Sequence, residues 1–401
     1  MTKTTKSLSD SEDRAEQQPL PGDPSLAGRG ARGAAGHALR AARILRIERV
    51  ARIPRAGRVA RDLLVYTGAV GAALAVGVML VVGSGASVGQ AAGALAEGMA
   101  GTPYALGSAL NAAAVLALIA TGFTVAYRAG LVNVGGEGQL AVGGIGATAV
   151  GVSLPDATPA GLAVPLVLGA GFCAGAAWAA IAAWLKARRG VNEVITTLLL
   201  NFVGLGLVSL AVHEEGLLRQ PVTSADTLPQ SEPLAVGARL PLLGLTESPA
   251  TIAVLVAVAA AVVTWIVLHR TATGTRLSAV GQSPPAARRL GLSVARLQIG
   301  ALATAGGLAG TAGAALVATV PYVLAENFTS GYGFAGLVVG LLARGSLTAV
   351  AGISLLFGML AAGGINLQLA AGVPASSVQV VQSVLIILIA GAATLRKETA
   401  R

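Results

Sequence analysis

Charged residues are scarce in this chain: Asp, Glu, Lys and Arg together make up 11% of its 401 residues, where soluble domains carry about a quarter. Aromatic residues are scarcer at 3%, and there are one cysteine and three histidines. The lone Cys173 excludes an intrachain disulfide, and His37, His213 and His269 are scattered, with no Cys/His spacing suited to a metal. There is no G-x-x-x-x-G-K-S/T phosphate loop, no H-E-x-x-H pair and no G-x-S-x-G turn. Nucleotide hydrolysis and the familiar metal- and serine-dependent hydrolyses therefore have no residues to carry them. The chain reads as a non-enzymatic protein that binds no cofactor of its own.

Apolar residues fill the space left by charge. The sequence is 54% hydrophobic, with a mean hydropathy of +0.73, and apolar windows near the roughly 20 residues needed to cross a bilayer as a helix recur along most of it. Nothing alternates as the strands of a membrane barrel would. The expected fold class is all-α, a polytopic transmembrane bundle of about ten spans: 63–83, 108–126, 136–154, 163–184, 194–213, 250–268, 297–320, 331–343, 347–369 and 374–393. Of these, 331–343 is short and Gly-rich, which suits a broken or re-entrant segment. Two sets of five spans would be inverted with respect to each other, although the halves show no convincing sequence similarity.

The net charge of +10 is concentrated at one end: eleven Arg and two Lys lie in residues 1–62. With few aromatics for base stacking, this points to a topology signal with anionic-lipid contact, and to no nucleic-acid partner. Residues 1–36 have the composition of disorder. Residues 37–61 suit either a basic amphipathic helix on the inner membrane surface, interrupted at Pro54, or a solvated linker. The apolar stretch after Asp62 is too long for an ordinary cleaved signal and reads as a first span. Three parts follow: a basic cytoplasmic extension (1–62), a membrane domain (63–395) and a short cytoplasmic tail (396–401). With the N-terminus inside, Arg128, Lys186 to Arg189, His269 to Arg296, Arg344 and Arg396 to Arg401 all fall on the cytoplasmic face, and the acidic connection 214–249 falls outside.

Three constellations stand out. "GLVNVGGEGQ" (130–139) sets Asn133, Glu137 and Gln139 among glycines at the start of a span near the inner boundary, where a carboxylate suits the unpaired amides of a helix N-terminus. It is a broken helix beside a transport path or a simple helix cap. "GVNEVITTLLLNFVGLG" (190–206) puts Glu193, Thr197 and Asn201 on one helical stripe after Asn192. Glu193 has Arg188 or Arg189 as partners within reach, and Asn201 lies about 12 Å deeper, where its amide either bonds a neighbouring helix or faces cargo. In "GTRLSAVGQSPPAARRLGL" (274–292), Ser283 suits an N-cap, Pro284 and Pro285 a first helical turn, and Gly291 a stop. That predicts a short helix along the membrane surface carrying Arg288 and Arg289.

These motifs, followed by "GYGFAGLVVGLLARG" (331–345), keep the order and spacing seen in membrane permease subunits of bacterial ABC importers for nucleosides and simple sugars, in the branched-chain amino-acid and ribose permease superfamily. The sequence resembles that family over about residues 63–395. The resemblance implies a type II importer-like permease in a bacterial plasma membrane. It implies a second, often paralogous permease, two cytosolic ATPase subunits that use ATP and Mg, and an extracytoplasmic binding protein or lipoprotein. Asn133, Glu137, Gln139, Asn192, Glu193, Thr197 and Asn201 become pathway candidates, and Ser283, Pro284, Arg288 and Arg289 candidates for coupling to the ATPase. "ARGSLTAVAG" (343–352) departs from the Gly-Arg or Gly-Lys and Pro-Leu-Gly pattern of relatives, and the Arg-rich extension is atypical. A rival reading, an ion-coupled secondary transporter of a small polar solute, calls for ionisable groups deep in the spans. For a nucleoside, Asn201, Phe202, Tyr332 and Phe334 are candidate contacts.

Overall fold

The structure is a computed structural model and describes residues 71–222 and 227–384, together with positions 68 and 388. The chain divides into two compact units, Met1–Gly68 and Ala69–Arg401, and the architecture below is that of the second. The basic extension, residues 63–67, 69 and 70 of the first expected span, Asp226 and the tail 396–401 lie outside the described residues.

All the elements that position the site are helices. The first two, α1 (Gly71–Gly83) and α2 (Val88–Ala96), are bent by 114° at the break between them. Ser87 caps α2 by accepting from the Gln90 amide, and one π-turn, Glu97–Gly101, carries the chain onward. The spans read from the sequence left residues 84–107 as a connection. Its glycines dilute hydropathy below that of a span, but here they let α2 lie close against the last helices, with Gly98 beside Asn366.

Two helices form the axis. α3 (Pro103–Arg128) starts at Thr102, whose hydroxyl accepts from the Ala105 amide, with Pro103 filling the first turn where no amide partner is needed. α10 (Val294–Val317) is the other, and both are mostly buried. Around them stand α4 (Gly136–Ser153), α5 (Ala160–Arg189), α6 (Glu193–His213), α7 (Ala253–Arg270), α11 (Tyr332–Ala343) and α12 (Leu347–Ala371). Helices α5, α6 and α7 turn large apolar side chains outward, among them Trp184, Leu199 and Val262, as a lipid-facing wall does. Among the described residues six helices, α3, α5, α6, α7, α10 and α12, are long and apolar enough to cross a membrane, or seven if α1 and α2 count as one broken span. α4 is polar at its start and α11 has only 12 residues, about 18 Å of rise against a core of about 30 Å.

Glycine sets how closely these helices approach. A methyl added at Gly175 of α5 would lie 2.8 Å from the Cα of Gly310 in α10, and one at Gly143 of α4 would lie 2.8 Å from the Gly310 carbonyl carbon. Gly171 and Gly175 face Gly306 and Gly310, two small-x-x-x-small stripes that pack backbone on backbone where lipid supplies no hydrophobic drive.

The basic side chains that close α3, α5 and α7, among them Arg128, Lys186, Arg188, Arg189 and Arg270, gather at one end of the bundle, while Arg219 and Arg239 lie in the connection at the other. At the basic end α8 (Ala272–Gln282) meets the end of α3 through Gly130 and Gly281, and the turn after α11 brings Gly345 against Tyr127. At the opposite end the long connection after α6 is pinned to the return segment after α10. The Ser231 amide donates to the Leu324 carbonyl at 2.8 Å, and the Leu324 amide donates to the Ser231 hydroxyl at 2.9 Å.

Candidate functional site

The glycine-rich motif does not stay at the bundle end. After Arg128 the chain runs without helix through residues 131–134, and it delivers Gly136 against Ile119 of α3, nine residues back from Arg128 and so about 13 Å deep by helical rise. Gly138 packs on Asn201 of α6, eight residues beyond Glu193 and about 12 Å deep. Four or five extended residues at about 3.3 Å each suffice for that climb. The inner-boundary position expected for Glu137 is therefore corrected: α4 begins in the middle of the bundle.

Helix α11 begins at the same depth and runs the other way. Gly336 packs on Ile119 and Gly340 on Phe123, so α11 descends from mid-bundle to Arg344 at the basic end. Gly331 before it and Arg344 after it are left-handed, with φ of 77° and 49°. The N-termini of two half-helices thus meet inside the bundle, and the carboxylate of Glu137 lies between them. Its Oε2 accepts the Gly333 amide at 2.7 Å and the Phe334 amide at 3.3 Å. A buried anion placed on the unpaired amides of α11 is favoured by both hydrogen bonds and dipole.

The remaining polar groups of the motif close a knot around this junction. Asn133 and Gln139 clasp side chain to side chain, Nδ2 donating to Oε1 at 2.8 Å and Nε2 donating to Oδ1 at 2.9 Å, and Asn133 Oδ1 also accepts the Gly135 amide. Asn201 accepts the Gly138 amide at 2.9 Å and donates to the Val134 carbonyl at 2.9 Å. Thr197 donates to the Glu193 carbonyl at 2.7 Å and accepts the Val134 amide at 3.3 Å. Asn133, Glu137, Gln139, Thr197 and Asn201 are all buried. Phe202, the neighbour of Asn201, points outward at 67% exposure.

Asn192 and Glu193 stand apart from the knot. Asn192 caps α6 by accepting the Val194 amide at 2.9 Å. Glu193 pairs with Lys186, not with Arg188 or Arg189. Gly190, left-handed at φ 67°, ends α5 and reverses the chain, and Lys186 is the base one helical turn back that comes to face the start of α6.

The last constellation folds as its local chemistry dictates. α8 ends at Ser283, whose hydroxyl accepts the Ala286 amide, and α9 (Pro284–Arg289) follows with both prolines in its first turn. Gly291 turns left-handed at φ 78°. Ala287 is buried against Val280 and Val294, which anchors α9 while Arg288 and Arg289 stay exposed. Leu290, 76% exposed beside them, is an apolar contact that charge-based reading passed over; its only sequence signal was a leucine on the solvent side of a basic turn.

A cavity of about 510 Å³ opens beside the half-helix junction, between α3, α11, α12 and the helical residues 376–384. Ser330, Tyr332, Phe334, Phe357, Gln379 and Gln382 contribute to its lining. Asn201 and Phe202 are not among its walls. Among the described residues no group of three or more His, Cys, Asp or Glu could hold a metal ion.

An all-helical bundle with lipid-facing walls, two interrupted helices meeting at mid-depth and an exposed basic turn at one end defines a polytopic membrane permease. Residues 105–390 match the family described as branched-chain amino acid transport system / permease component, and the chain belongs to that family of ABC transporter permeases. It is 35% identical to a glucose ABC transporter permease of Haloferax volcanii, over 79% of this chain and 84% of that one. It is 31% identical to a guanosine ABC transporter permease of Bacillus subtilis, over 80% and 91%. A nucleoside ABC transporter permease of Lactococcus lactis subsp. cremoris is also 31% identical, over 72% and 80%. No solved structure matches the chain.

Proposed function

We propose that this chain forms part of the translocation path of an ATP-driven importer whose cargo is a nucleoside. The observation that carries this reading is the similarity to a guanosine permease over 91% of that relative's length. A simple sugar is the second reading, favoured by the 35% identity to a glucose permease.

In the proposed assembly, residues 63–395 make about ten crossings, with the broken segments α4 and α11 counted among them, in a bacterial plasma membrane. The extension 1–62 and the tail 396–401 lie in the cytoplasm with the basic end of the bundle, as the positive-inside rule favours. A second permease, a related chain or a second copy, completes the path. Two cytosolic ATPase subunits consume ATP and Mg, this chain binding neither, and an extracytoplasmic binding protein or lipoprotein presents the cargo. Asn133, Glu137, Gln139, Thr197 and Asn201 frame the wall of the path, and Asn192 and Glu193 hold its inner mouth. Ser283 and Pro284 shape α9, through which Arg288 and Arg289 receive the movement of the ATPase. An ion-coupled mechanism is disfavoured because Glu137, the ionisable group at depth, is occupied by backbone amides.

The test is reconstitution of the permease with its co-purified partners in liposomes. Uptake that requires internal or external ATP on the ATPase side supports the proposal. Uptake by the isolated chain under a proton or sodium gradient alone would overturn it.

A further inference from the structure

The cavity beside α11 carries an inference about where and how cargo is recognised. Its depth is fixed by α12, which rises from Ser346 at the basic end: Phe357 is ten residues along, about 15 Å, and Gly364 and Ile365 are higher still. It therefore extends from mid-bundle, where Val338 and Phe357 border it, into the half away from the basic end. The helix 376–384 returns from that far end and brings Gln379 and Gln382 into the cavity, the second about 9 Å in from its start. Gln379, about 4.5 Å in, is exposed, whereas Gln382 is half-buried, and an amide at its depth in a membrane bundle calls for a reason.

The rest of the lining is mostly aliphatic and small, with Ser330 and Ser383 and three aromatic side chains. The chain has only six phenylalanines and five tyrosines, yet Phe334, Phe357 and Tyr332 all border this one space. At about 510 Å³ it lies within the roughly 300–1,000 Å³ of small-molecule sites. A flat heterocycle suits such walls: its faces are apolar and stack on rings, and its polar edge meets amides. A hexose presents hydroxyls in every direction, and the apolar walls formed with Leu116, Val338 and Ile365 would leave several unpaired, each at a cost.

We propose that this cavity is a nucleoside-binding station in the path, with Phe334 and Tyr332 stacking on the base and Gln379 and Gln382 hydrogen-bonding its edge. The proposal rests on the importer reading and adds to it a place and a selectivity. Phe334 links the station to the half-helix junction, because its amide is one of the two held by Glu137. A change in the seat of the base is thus felt at the start of α11.

The test uses the full complex in liposomes with labelled guanosine, uridine and glucose. Gln379→Leu with Gln382→Leu, and separately Phe334→Leu, should raise the half-saturating concentration for nucleoside uptake, measured per assembled complex, at least tenfold. Because such variants can assemble poorly, Gln382→Cys in a Cys173→Ser background gives a second readout: labelling by a small water-soluble thiol reagent, slowed by guanosine and not by glucose. Nucleoside uptake that is unchanged in both variants, or labelling that guanosine fails to slow, overturns the station while leaving the importer intact. A wild-type complex that moves glucose and no nucleoside overturns the selectivity. One that moves no cargo with ATP overturns the importer reading itself.

Discussion

The carboxylate of Glu137 and the backbone amide of Gly333, 196 residues apart in sequence, meet at 2.7 Å in the middle of the bundle. Each side explains the other. Helix α11 starts inside the protein, where its first amides have no water, and α4 starts at the same level with a carboxylate in its first turn. The negative group supplies what the interrupted helix lacks, so the backbone break is stable where lipid would forbid it.

Replacing Glu137 tests that relationship. Glu137→Ala removes the acceptor for two amides, and a buried orphaned group costs about 1–3 kcal/mol. Glu137→Gln keeps an acceptor without the charge and should fall between Ala and wild type. Thermal unfolding of the purified permease reads the order, and hydrogen exchange at residues 333 and 334 should rise in the same order. Equal stability of all three would remove the capping role.

Asn201 holds the loop before α4 from the other side. Asn201→Leu strands the Gly138 amide and the Val134 carbonyl, a loss of roughly 1–2 kcal/mol for an interhelical amide in a membrane. The yield of assembled complex should fall first, with transport per assembled complex unchanged. Normal assembly with lost transport would instead make this amide a direct contact for cargo.

Gly310 is touched by both α4 and α5, so Gly310→Val should abolish the monodisperse permease on size exclusion. Gly206→Val, on the open face of α6 with nothing within 4 Å of an added methyl, is the control and should leave the profile unaltered. Similar profiles for the two variants would show that backbone contact at Gly310 is dispensable.

The exposed turn of α9 is expected to meet the ATPase. Arg288→Glu with Arg289→Glu, and separately Leu290→Ser, should each weaken ATPase association by about tenfold, in the range of a single interface anchor. Membrane insertion should not change, since all three side chains are exposed. Co-purification at graded salt separates the two: the Arg variant should lose the salt dependence and the Leu290 variant should keep it.

What was legible in the sequence was local. Ser283, two prolines and Gly291 specify α9 within nine residues, and the structure has the helix they describe. The depth of Glu137 was not legible, because it depends on residues 131–134 running without helix and on Gly333 arriving from the far part of the chain. The partner of Glu193 was missed for a geometric reason: counting bases near Gly190 favours the adjacent arginines, whereas the reversal at Gly190 selects Lys186, a turn further back. The bend between α1 and α2 escaped hydropathy because alanine and glycine dominate α2, and small residues signal close packing only once the neighbour is known. Among the described residues six helices are long and apolar enough to cross, against ten spans read from the sequence: α4 and α11 fall short because they are interrupted where they meet, 63–83 ends as one arm of a bent pair, and 374–393 is only partly described.

The contact of three backbones at Gly310 has a mechanical meaning. Where α4, α5 and α10 touch without side chains between them, no layer remains that can slide, and the three move as one block. Any rearrangement that changes which end of the path is open must then be taken up elsewhere, by the elements that meet the block through longer side chains or through a hydrogen-bonded tip. Helix α11 is short and bounded at both ends by left-handed residues; its start meets the backbone of α4 at Gly333 and Glu137, while its body meets α3 through the side chains of Ile119 and Phe123.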